Sequence, residues 1–380
     1  TSHAAMSAMA TMDPSYYPPA RTGLRGSHPG SNEHAHSRAW AGRSNWGPTT
    51  ILPETYDLIV VGGGLSGLSA AYFYQQKHGS DKKVLILDNH DDFGGHAKRN
   101  EHTIAGHMLL GEGGSESLEG PQGFGETVRN LLRDLGVDME RFKTSYDVDF
   151  YRRHDLGAAT YFNKRIFGED KVVRHPFCDY PGFVEGLLRP TLSNEEAVQQ
   201  TPLSEEGKQQ LLRVLKGGQH DLKLPKEELR EYINAHSYFD YLQNTLGVDD
   251  PGVLTMARRT NMDYLGGGTD TMSIRQALSS GSMGSDPYDA WGDAMEEGDY
   301  QEYVNKGGDT YAAKDPFIAH YPDGNATLAR ALVKKMIPNI GTGENAEELV
   351  LSKFNYAELD KPSNHARIRL NSTAVNVQHD

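Results

Sequence analysis

The chain is poor in cysteine and lacks long apolar runs. Its 380 residues include one cysteine, Cys178, so no disulfide can form within the chain, and the count does not fix the redox compartment. Cys178 matches no nucleophile signature, and we expect a buried or half-buried structural thiol. No run approaches the roughly 18 apolar residues that would span a bilayer. The N-terminus shows no charged, apolar and small-residue regions of a secretory signal, and the stretch AAMSAMA is either the residue of a processed signal or a loose tail.

Positive charge is scarce as well. The formal net charge is −14 at pH 7, which argues against a general nucleic-acid surface, because such a surface needs a basic face. The same charge is compatible with a cationic substrate. With 37% hydrophobic and 24% charged residues the composition is that of an ordinary globular protein, and the length provides core for about two or three domains.

What the sequence does contain is a glycine-rich turn in the stretch IVVGGGLSGLSAAYFYQQKHG, from Ile59 to Gly79. Gly62, Gly64 and Gly67 have the spacing G-x-G-x-x-G. The first glycine permits a tight turn, the second lets the backbone approach a pyrophosphate, and the third allows close packing of helix on strand. The N-terminus of the following helix then directs amide groups and a positive dipole end at phosphate.

Two apolar strands flank this turn and helix. The first is predicted as a buried strand over Tyr56 to Val61, the helix ends at Gly79, and the second strand, VLILD, runs from Val84 to Asp88. Asp88 lies about 20 residues beyond the last glycine, where an acid is expected to bind a ribose hydroxyl. The pattern predicts a βαβ unit that binds a dinucleotide.

The residues after the second strand favour FAD as that dinucleotide. The segment NHDDFGGHAKRNE places two glycines, at 94–95, before the basic residues His96, Lys98 and Arg99. It resembles the segment that lies along the FAD phosphates in flavoproteins of the amine-oxidase superfamily. His96 stands where arginine is commonest, which leaves open which side chain pairs with the phosphates, and a surface turn with incidental charge is the alternative. The residues predicted to contact FAD are Gly62, Gly64, Leu65, Ser66, Gly67, Asp88, Asn89, Gly94, Gly95, His96, Lys98, Arg99 and Val375.

The rest of the chain predicts the order of the domains. Residues 1–50 predict an extended N-terminal arm, 51–120 the first part of the nucleotide domain, 121–320 a mainly helical insertion that forms the substrate domain, and 321–380 the nucleotide domain resumed. Apolar spacing predicts helices in GETVRNLLRDLGV, in SEEGKQQLLRVLKG and after the turn PDGN. The stretch ARIRLNSTAVNVQHD alternates in the manner of two strands.

Three segments carry a more specific family resemblance. LDNHDDFGGHAKRNE, HYPDGNATLARALVKKMIP, and YYPPARTGLRGSHPGS with the following Ala35-His36 resemble the bacterial spermidine dehydrogenases and their close FAD-dependent relatives. The resemblance implies an α/β fold in which an FAD-binding Rossmann-like domain, of the glutathione-reductase type, is interrupted by the helical insertion. It also implies oxidation of a polyamine or related amine, a haem b, and export to the periplasm, with the cytoplasm as the alternative location.

In an enzyme of this kind, flavin N5 accepts a hydride from the carbon next to an amine nitrogen, and carboxylates steer the distal ammonium groups. The segment LLGEGGSESLEG falls where amine oxidases bring backbone to the flavin, and it carries Glu112, Glu116 and Glu119. Glu112 and Glu116 are the candidates for steering the substrate. For each glutamate a solvated turn or a helix cap is the alternative, and the catalytic residues stay unassigned.

Three of the 16 histidines, His28, His34 and His36, cluster in the arm. A haem needs only one or two axial imidazoles, which an arm folded onto the protein could supply. His28 and His36 match segments of the resembled family and are the haem-iron candidates, whereas His34 does not. Exposed histidines without a ligand are the alternative, and zinc is less favoured, because no cysteine or spaced carboxylate completes a tetrahedral set.

The leading hypothesis is therefore an FAD-dependent amine dehydrogenase that passes electrons onward to an acceptor, through haem b where one is bound. A flavin-dependent oxidase or desaturase of an apolar substrate shares the nucleotide motif, but it would need an apolar channel, and the polar insertion argues against one. A non-catalytic subunit that holds FAD for a larger complex is the third hypothesis.

The resemblance also predicts a second polypeptide. In the amine-oxidase architecture, the resumed FAD domain continues beyond a strand such as STAVNVQ, and a later segment covers the flavin ring. We expect a tightly associated partner, the proteolytically separated remainder of the same precursor, that completes the FAD and substrate domains. A shorter relative whose insertion closes the site is the alternative.

Overall fold

The computed structural model describes residues 15–21, 31–147, 150–178, 192–216, 222, 224–260, 266–279, 282–284 and 318–378. These residues form two compact units. The first unit contains the described residues up to Phe142 together with those from Ile318 onward, and the second contains those in between. The sequence predicts domain limits at residues 120 and 321, whereas this division falls after Phe142 and before Ile318.

The strands are short. In chain order they are β1 (Leu58–Val61), β2 (Val84–Leu87), β3 (Arg99–Ile104), β4 (His107–Glu112), β5 (Leu118–Glu119), β6 (Thr160–Phe162), β7 (Lys171–Val173), β8 (Ile318–Ala319) and β9 (Ala366–Arg369). The pairs β3–β4, β5–β8 and β6–β7 are antiparallel ladders.

Helices supply most of the remaining regular structure. In chain order they are α1 (Glu33–Ala39), α2 (Leu65–His78), α3 (Glu126–Asp134), α4 (Met139–Ser145), α5 (Phe150–Arg153), α6 (Lys164–Phe167), α7 (Asn194–Gln199), α8 (Glu205–Leu215), α9 (Lys226–Ala235), α10 (Tyr238–Asp240), α11 (Pro251–Thr260), α12 (Ile274–Ser279), α13 (Ala326–Met336) and α14 (Ala346–Leu351). A search of the described residues finds no helix with the length and apolar character to cross a membrane.

The first unit is built on a parallel sheet of three strands in the order β1–β2–β9. The central strand β2 is covered on both sides, and Val84, Leu85 and Ile86 are at most 5% exposed. Helix α2 connects β1 to β2, so these three elements form the predicted βαβ unit. Parallel pairing requires such a crossover, because the chain must return to the same end of the sheet before it starts the next strand.

Strand β1 departs from the predicted buried strand. It lies at an edge of the described sheet, and its side chains alternate between half-buried and exposed. Ile59 and Val61 are 55% and 62% exposed. Because α2 packs on the opposite face, beside Val60, only one face of β1 is covered by described residues.

The helices predicted from apolar spacing are confirmed. Helix α3 lies within GETVRNLLRDLGV, and α8 lies within SEEGKQQLLRVLKG, where the Ser204 hydroxyl accepts a hydrogen bond from Gly207 N at 2.9 Å. Helix α13 follows the PDGN turn, and its residues from Ala326 to Val333 are all buried. The Ser204 hydroxyl thus satisfies one of the amide groups that the start of α8 leaves unpaired.

Two arginines of β9 form a charged cluster with Glu54, which precedes β1, and with Asp360, which precedes β9. Arg367 Nε and Arg369 Nε each lie 2.7 Å from one oxygen of Asp360, and both guanidinium groups also pair with Glu54. Burial alone would raise the pKa of Glu54, but hydrogen bonds from Arg369 and Tyr56 and the two arginine charges outweigh it and lower the pKa to about 2.

After β9 the chain does not form the second predicted strand. Residues 371–378 are irregular, and Val377 is 81% exposed. Asn371 N and Ser372 N donate to His90 O and Asp88 O, both at 2.8 Å, which holds the start of this segment beside the end of β2. A strand needs a neighbour for its backbone groups, and no described residue pairs with the segment beyond Ser372.

Described parts of the arm pack on the first unit. Tyr16 Oη donates to Asp91 O at 2.6 Å, and Tyr17 Oη donates to Glu101 Oε1 at 2.7 Å. Burial is the main cause that raises the pKa of Tyr16 to about 12, so this hydroxyl stays protonated and available as a donor. The arm is therefore anchored by its tyrosines and includes the helix α1.

The second unit is mainly helical. Its core contains residues of α7 to α12 together with Phe162 and Val173 from the β6–β7 ladder. Cys178 is partly buried, as the sequence predicts. The predicted acidic loop over 277–300 lies mostly outside the described residues.

Candidate dinucleotide-binding site

The glycine-rich turn lies between β1 and α2, at the carboxyl end of the parallel strands. Gly62 has a φ of +107°, a conformation that side chains rarely adopt, and its N–H donates to Leu87 O of the adjacent strand at 2.7 Å. A Cβ on Gly67 would lie 1.9 Å from Gly62 O. A side chain is therefore excluded at Gly62 by the backbone conformation and at Gly67 by the close packing of the helix on the turn.

The second glycine pair lies directly against this turn. Gly94 N donates to Gly63 O at 2.7 Å, and Gly64 and Gly94 form an isolated parallel bridge. A Cβ added to Gly95 would be 3.1 Å from Gly64 Cα. The two motifs, about thirty residues apart, thus meet as bare backbone, which leaves a surface that a flat or extended ligand can approach closely.

Helix α2 begins at this junction with Gly64 as its N-cap. No side chain caps this end, and its first turn carries no acidic residue. The first amide groups of a helix have no intrahelical acceptor, so those of Leu65, Ser66 and Gly67 are available to an anion. The turn, the glycine pair and the uncapped helix together fit a pyrophosphate.

Asp88 follows β2 and is 6% exposed. Its Oδ2 accepts a hydrogen bond from Gly63 N at 2.7 Å, and its Oδ1 accepts one from His90 N at 2.8 Å. The carboxylate predicted to bind a ribose hydroxyl therefore also braces the glycine turn. The neighbouring Asn89 donates through Nδ2 to Ser31 O of the arm at 2.8 Å.

The three predicted basic residues have different surroundings. His96 is exposed, and its ring lies beside Gly114, where an added Cβ would be 3.8 Å from His96 Cδ2. Lys98 Nζ lies 3.9 Å from Asp91 Oδ1. Of the three, His96 is the side chain that the structure leaves in the open beside the glycine pair.

Arg99, by contrast, is almost completely buried, with 3% exposure. Its guanidinium pairs with Glu101 Oε1 at 2.7 Å and with Asp323 Oδ2 at 2.9 Å, and it also donates to Val350 O. Burial alone would lower the pKa of Arg99, but these two carboxylates raise it. The charge of Arg99 is thus balanced by the protein's own acids, and its contact with an FAD phosphate stays a prediction.

Residues 112–117, which we call the glutamate loop, begin at the last residue of β4. Glu112 and Glu116 are exposed there, and so is Glu119 in β5. Val375 is partly buried in the irregular segment after β9. The structure thus keeps the proposed carboxylates accessible to a cationic ligand, on the same unit as the glycine turn.

Comparisons with known proteins agree with this geometry. Residues 60–135 match the family model of an NAD(P)-binding Rossmann-like domain. The predicted α/β fold class is confirmed by this match and by the parallel sheet with its crossover helix. The first unit contains a Rossmann-like dinucleotide-binding domain.

Comparisons that extend over more of the chain give weaker similarity. No curated protein matches the chain. Among solved structures, a triple mutant of putrescine oxidase, redesigned in cofactor binding, is similar at 16% identity with a TM-score of 0.34. The match covers 74% of this chain and 49% of that one, so this chain spans about half the length of the oxidase it matches.

Of the two haem candidates in the arm, the structure describes His36. His36 lies exposed on α1, stacked on Trp40 with ring centroids 3.9 Å apart. His28 lies outside the described residues. Within the described part of the chain, no group of three or more histidine, cysteine, aspartate or glutamate residues could hold a metal ion. Haem ligation by His28 or His36 stays a prediction.

Sequence reasoning missed the residues that fasten the glutamate loop. Asp323, Gly324 and Asn325 lie in the PDGN turn, which is predicted only as the start of α13. Asp323 is fully buried and Asn325 is 7% exposed. Buried polar residues need specific partners, but the sequence does not show that these residues are buried, so it carries no signal for their role.

Proposed function

We propose that this protein is an FAD-dependent oxidoreductase that acts on amines. The observation that supports it most is the contact of Gly64 with Gly95 at the uncapped start of α2. That arrangement presents bare backbone and free amide groups to a pyrophosphate. The glycine pair and the basic residue His96 beside it favour FAD over a nicotinamide nucleotide, by resemblance to flavoprotein amine oxidases.

The chain's own residues would bind and orient the cofactor and the substrate. The flavin would accept a hydride from the carbon next to the amine nitrogen. The amides of Leu65, Ser66 and Gly67 would face the pyrophosphate charge, and Asp88 would bind a ribose hydroxyl. Glu112 and Glu116 would attract the distal ammonium groups of the substrate. A polyamine such as spermidine, with several cationic groups, suits two exposed carboxylates better than a monoamine does.

This proposal is tested by spectroscopy of the protein as purified from its native source. A bound flavin whose visible bands are bleached by spermidine under anaerobic conditions supports it. Bleaching by apolar substrates only would favour the oxidase or desaturase, and a flavin that no substrate bleaches would favour a subunit that only holds FAD.

We infer further that a second polypeptide associates with the first unit. Parallel sheets are almost always covered on both faces, yet Ile59 and Val61 of β1 are more than half exposed. An edge strand of this kind offers unpaired backbone groups and apolar side chains to another strand. Intact-mass measurement of the native particle tests this: a particle of one 42.0 kDa chain with full amine-oxidising activity would contradict it.

The proposal includes electron transfer through haem b. It rests on the two arm histidines and on the resemblance of their segments. The arm is anchored beside the candidate site by Tyr16, Tyr17 and Ser31, so a haem bound there would lie on the same unit as the flavin.

A further inference from the structure

The turn Asp323–Asn325 joins two parts of the candidate site that are distant in sequence. Asp323 accepts a hydrogen bond from Arg99 Nη1 at 2.9 Å, across 224 residues, and another from the Thr327 hydroxyl. Arg99 begins β3, directly after the segment that carries the glycine pair. One end of the turn is therefore fixed to the strand that leads out of the cofactor site.

Gly324, in the middle of the turn, lies against the glutamate loop. Its φ is +60°, and an added Cβ would lie 2.8 Å from both Glu112 Cβ and Ser115 O and 3.0 Å from Glu116 Cα. The turn and the loop are thus in direct backbone contact, and a side chain at this position would force them apart.

Asn325 makes the specific contacts to this loop. Its N–H donates to Ser115 O at 3.0 Å, and its Nδ2 donates to Ser115 Oγ and to Ser117 O, both at 3.0 Å. The side chain is 7% exposed, so these hydrogen bonds are shielded from water. A buried amide that donates twice cannot be replaced by a carboxylate, which has no proton to donate to Ser117 O.

Glu112, the first residue of the loop, pairs with Arg99 in the β3–β4 ladder, and its carbonyl accepts a hydrogen bond from Asn100 Nδ2 at 3.0 Å. The rest of the loop contains little that would fix its shape. It includes Gly113 and Gly114, and its acidic side chain, Glu116, is exposed. Glycines leave the backbone free to adopt several conformations, so the position of that carboxylate depends on contacts from outside the loop. The only described side chain that donates hydrogen bonds to both Ser115 and Ser117 is that of Asn325.

We propose that Asn325 is a positioning residue that holds residues 113–117 of the glutamate loop, and with them Glu116, in the conformation that receives the substrate's ammonium groups beside the strand-held Glu112. The part that concerns substrate rests on the proposed function. The part that concerns the loop rests on the hydrogen bonds alone. Asn325 touches neither flavin nor substrate in this account and acts through Ser115 and Ser117.

Hydrogen exchange of the whole chain tests the loop directly. In Asn325→Asp, amide exchange over residues 113–117 should quicken by at least about tenfold, since the shielded hydrogen bond to Ser117 O is lost, while β2 keeps its protection. Asn345→Asp is the matched control, because Asn345 Oδ1 accepts from Glu348 N at 2.9 Å and a carboxylate can do the same. Ser115→Ala, which removes only the hydroxyl, should give a smaller change in the same amides.

Unchanged loop exchange in Asn325→Asp would overturn the proposal. So would equal acceleration in the loop and in β2 for both Asn325→Asp and Ser115→Ala, because that result would mean a role in global stability only. Neither readout depends on flavin or amine.

Kinetics of the native particle then test the role in substrate binding, with spermidine and putrescine as probes. Asn325→Asp should raise KM for spermidine by about tenfold with a smaller change in kcat, whereas Asn345→Asp should change neither. Faster hydrogen exchange in the loop of Asn325→Asp together with an unchanged KM for spermidine would overturn the part of the proposal that concerns substrate. If the wild-type particle neither holds flavin nor oxidises amines, the proposed function fails while the exchange result still stands.

Discussion

Arg99 and Asp323 form an ion pair that is almost entirely removed from solvent, with Nη1 and Oδ2 2.9 Å apart and side-chain exposures of 3% and 0%. The pair joins the strand after the glycine pair to the turn before α13. Because the charges are desolvated, Arg99 depends on Asp323 and Glu101 for compensation, and Asp323 depends on Arg99. The ion pair therefore links the segment of the glycine pair to the turn whose Gly324 and Asn325 contact the glutamate loop.

Asp323→Asn should destabilise the first unit strongly. It leaves Arg99 buried with one carboxylate fewer, and breaking a buried pair from one side costs about 3 to 5 kcal/mol. Glu347→Gln is the control, since Glu347 pairs with Arg141 on the surface at 3.4 Å, and such pairs contribute about 0 to 1 kcal/mol. Urea unfolding measures both, and equal losses of stability in the two variants would contradict the buried pair's importance.

Gly64→Val should separate cofactor binding from folding. Gly64 has extended backbone angles, and an added Cβ would lie 3.6 Å from Gly95 Cα, an ordinary contact, so the variant should fold. The valine would nevertheless fill the surface that the pyrophosphate approaches, and FAD should be lost. Gly125→Val is matched, because Gly125 is also an extended N-cap glycine and an added Cβ there meets nothing within 4 Å. Stoichiometric flavin in Gly64→Val would count against the motif assignment.

Much of this site could be predicted from the sequence, because its elements are local. The glycine spacing at 62–67 and the acid at Asp88 lie within one βαβ unit, and each follows from neighbouring residues. The role of Arg99 could not be predicted, since its partner Asp323 is 224 residues away and the sequence does not show which charged side chains are buried. The exposure of Ile59 and Val61 was missed for a similar reason: an apolar strand predicts burial, but which face is covered depends on neighbours in the sheet.

Stability at acid pH should depend on Glu54. The arginine cluster lowers its folded pKa from 4.5 to about 2, so its contribution is fully present above about pH 4.5 and is lost as the pH falls toward 2. Glu54→Gln should therefore flatten the pH dependence of the unfolding midpoint in that interval. Glu231→Gln, on the exposed side of α9, serves as a control and should leave the slope unchanged. An identical acid slope in wild type and Glu54→Gln would contradict the assigned pKa.

Tyr17→Phe should loosen the arm. The variant removes the hydroxyl that donates to Glu101 at 2.7 Å but keeps the ring, whose centroid lies 5.7 Å from that of Tyr356. A hydrogen bond to a charged group contributes about 1.5 to 3 kcal/mol, and limited proteolysis within the arm should quicken accordingly. Tyr74→Phe is the control, since its ring contacts His78 and no described residue of the arm bonds to its hydroxyl. Equal cleavage rates in the two variants would contradict the role of Tyr17 as an anchor of the arm.

Haem binding should show as a Soret band that depends on the arm histidines. If His28 and His36 are the axial ligands, the double variant His28→Ala/His36→Ala should lose the band while the flavin bands persist. Single variants identify which imidazole binds. If protein purified after growth with ample haem shows flavin bands alone, the haem prediction is contradicted and the assignment of the flavin site is unaffected.

The central claim is that the glycine turn and the glycine pair hold FAD for amine oxidation. The most direct test is the anaerobic visible spectrum of the native purified particle, titrated with spermidine. We predict one flavin per chain of this protein, with its visible bands bleached as spermidine is added and restored by an electron acceptor. A particle that carries no flavin, or a nicotinamide nucleotide in its place, would contradict the claim.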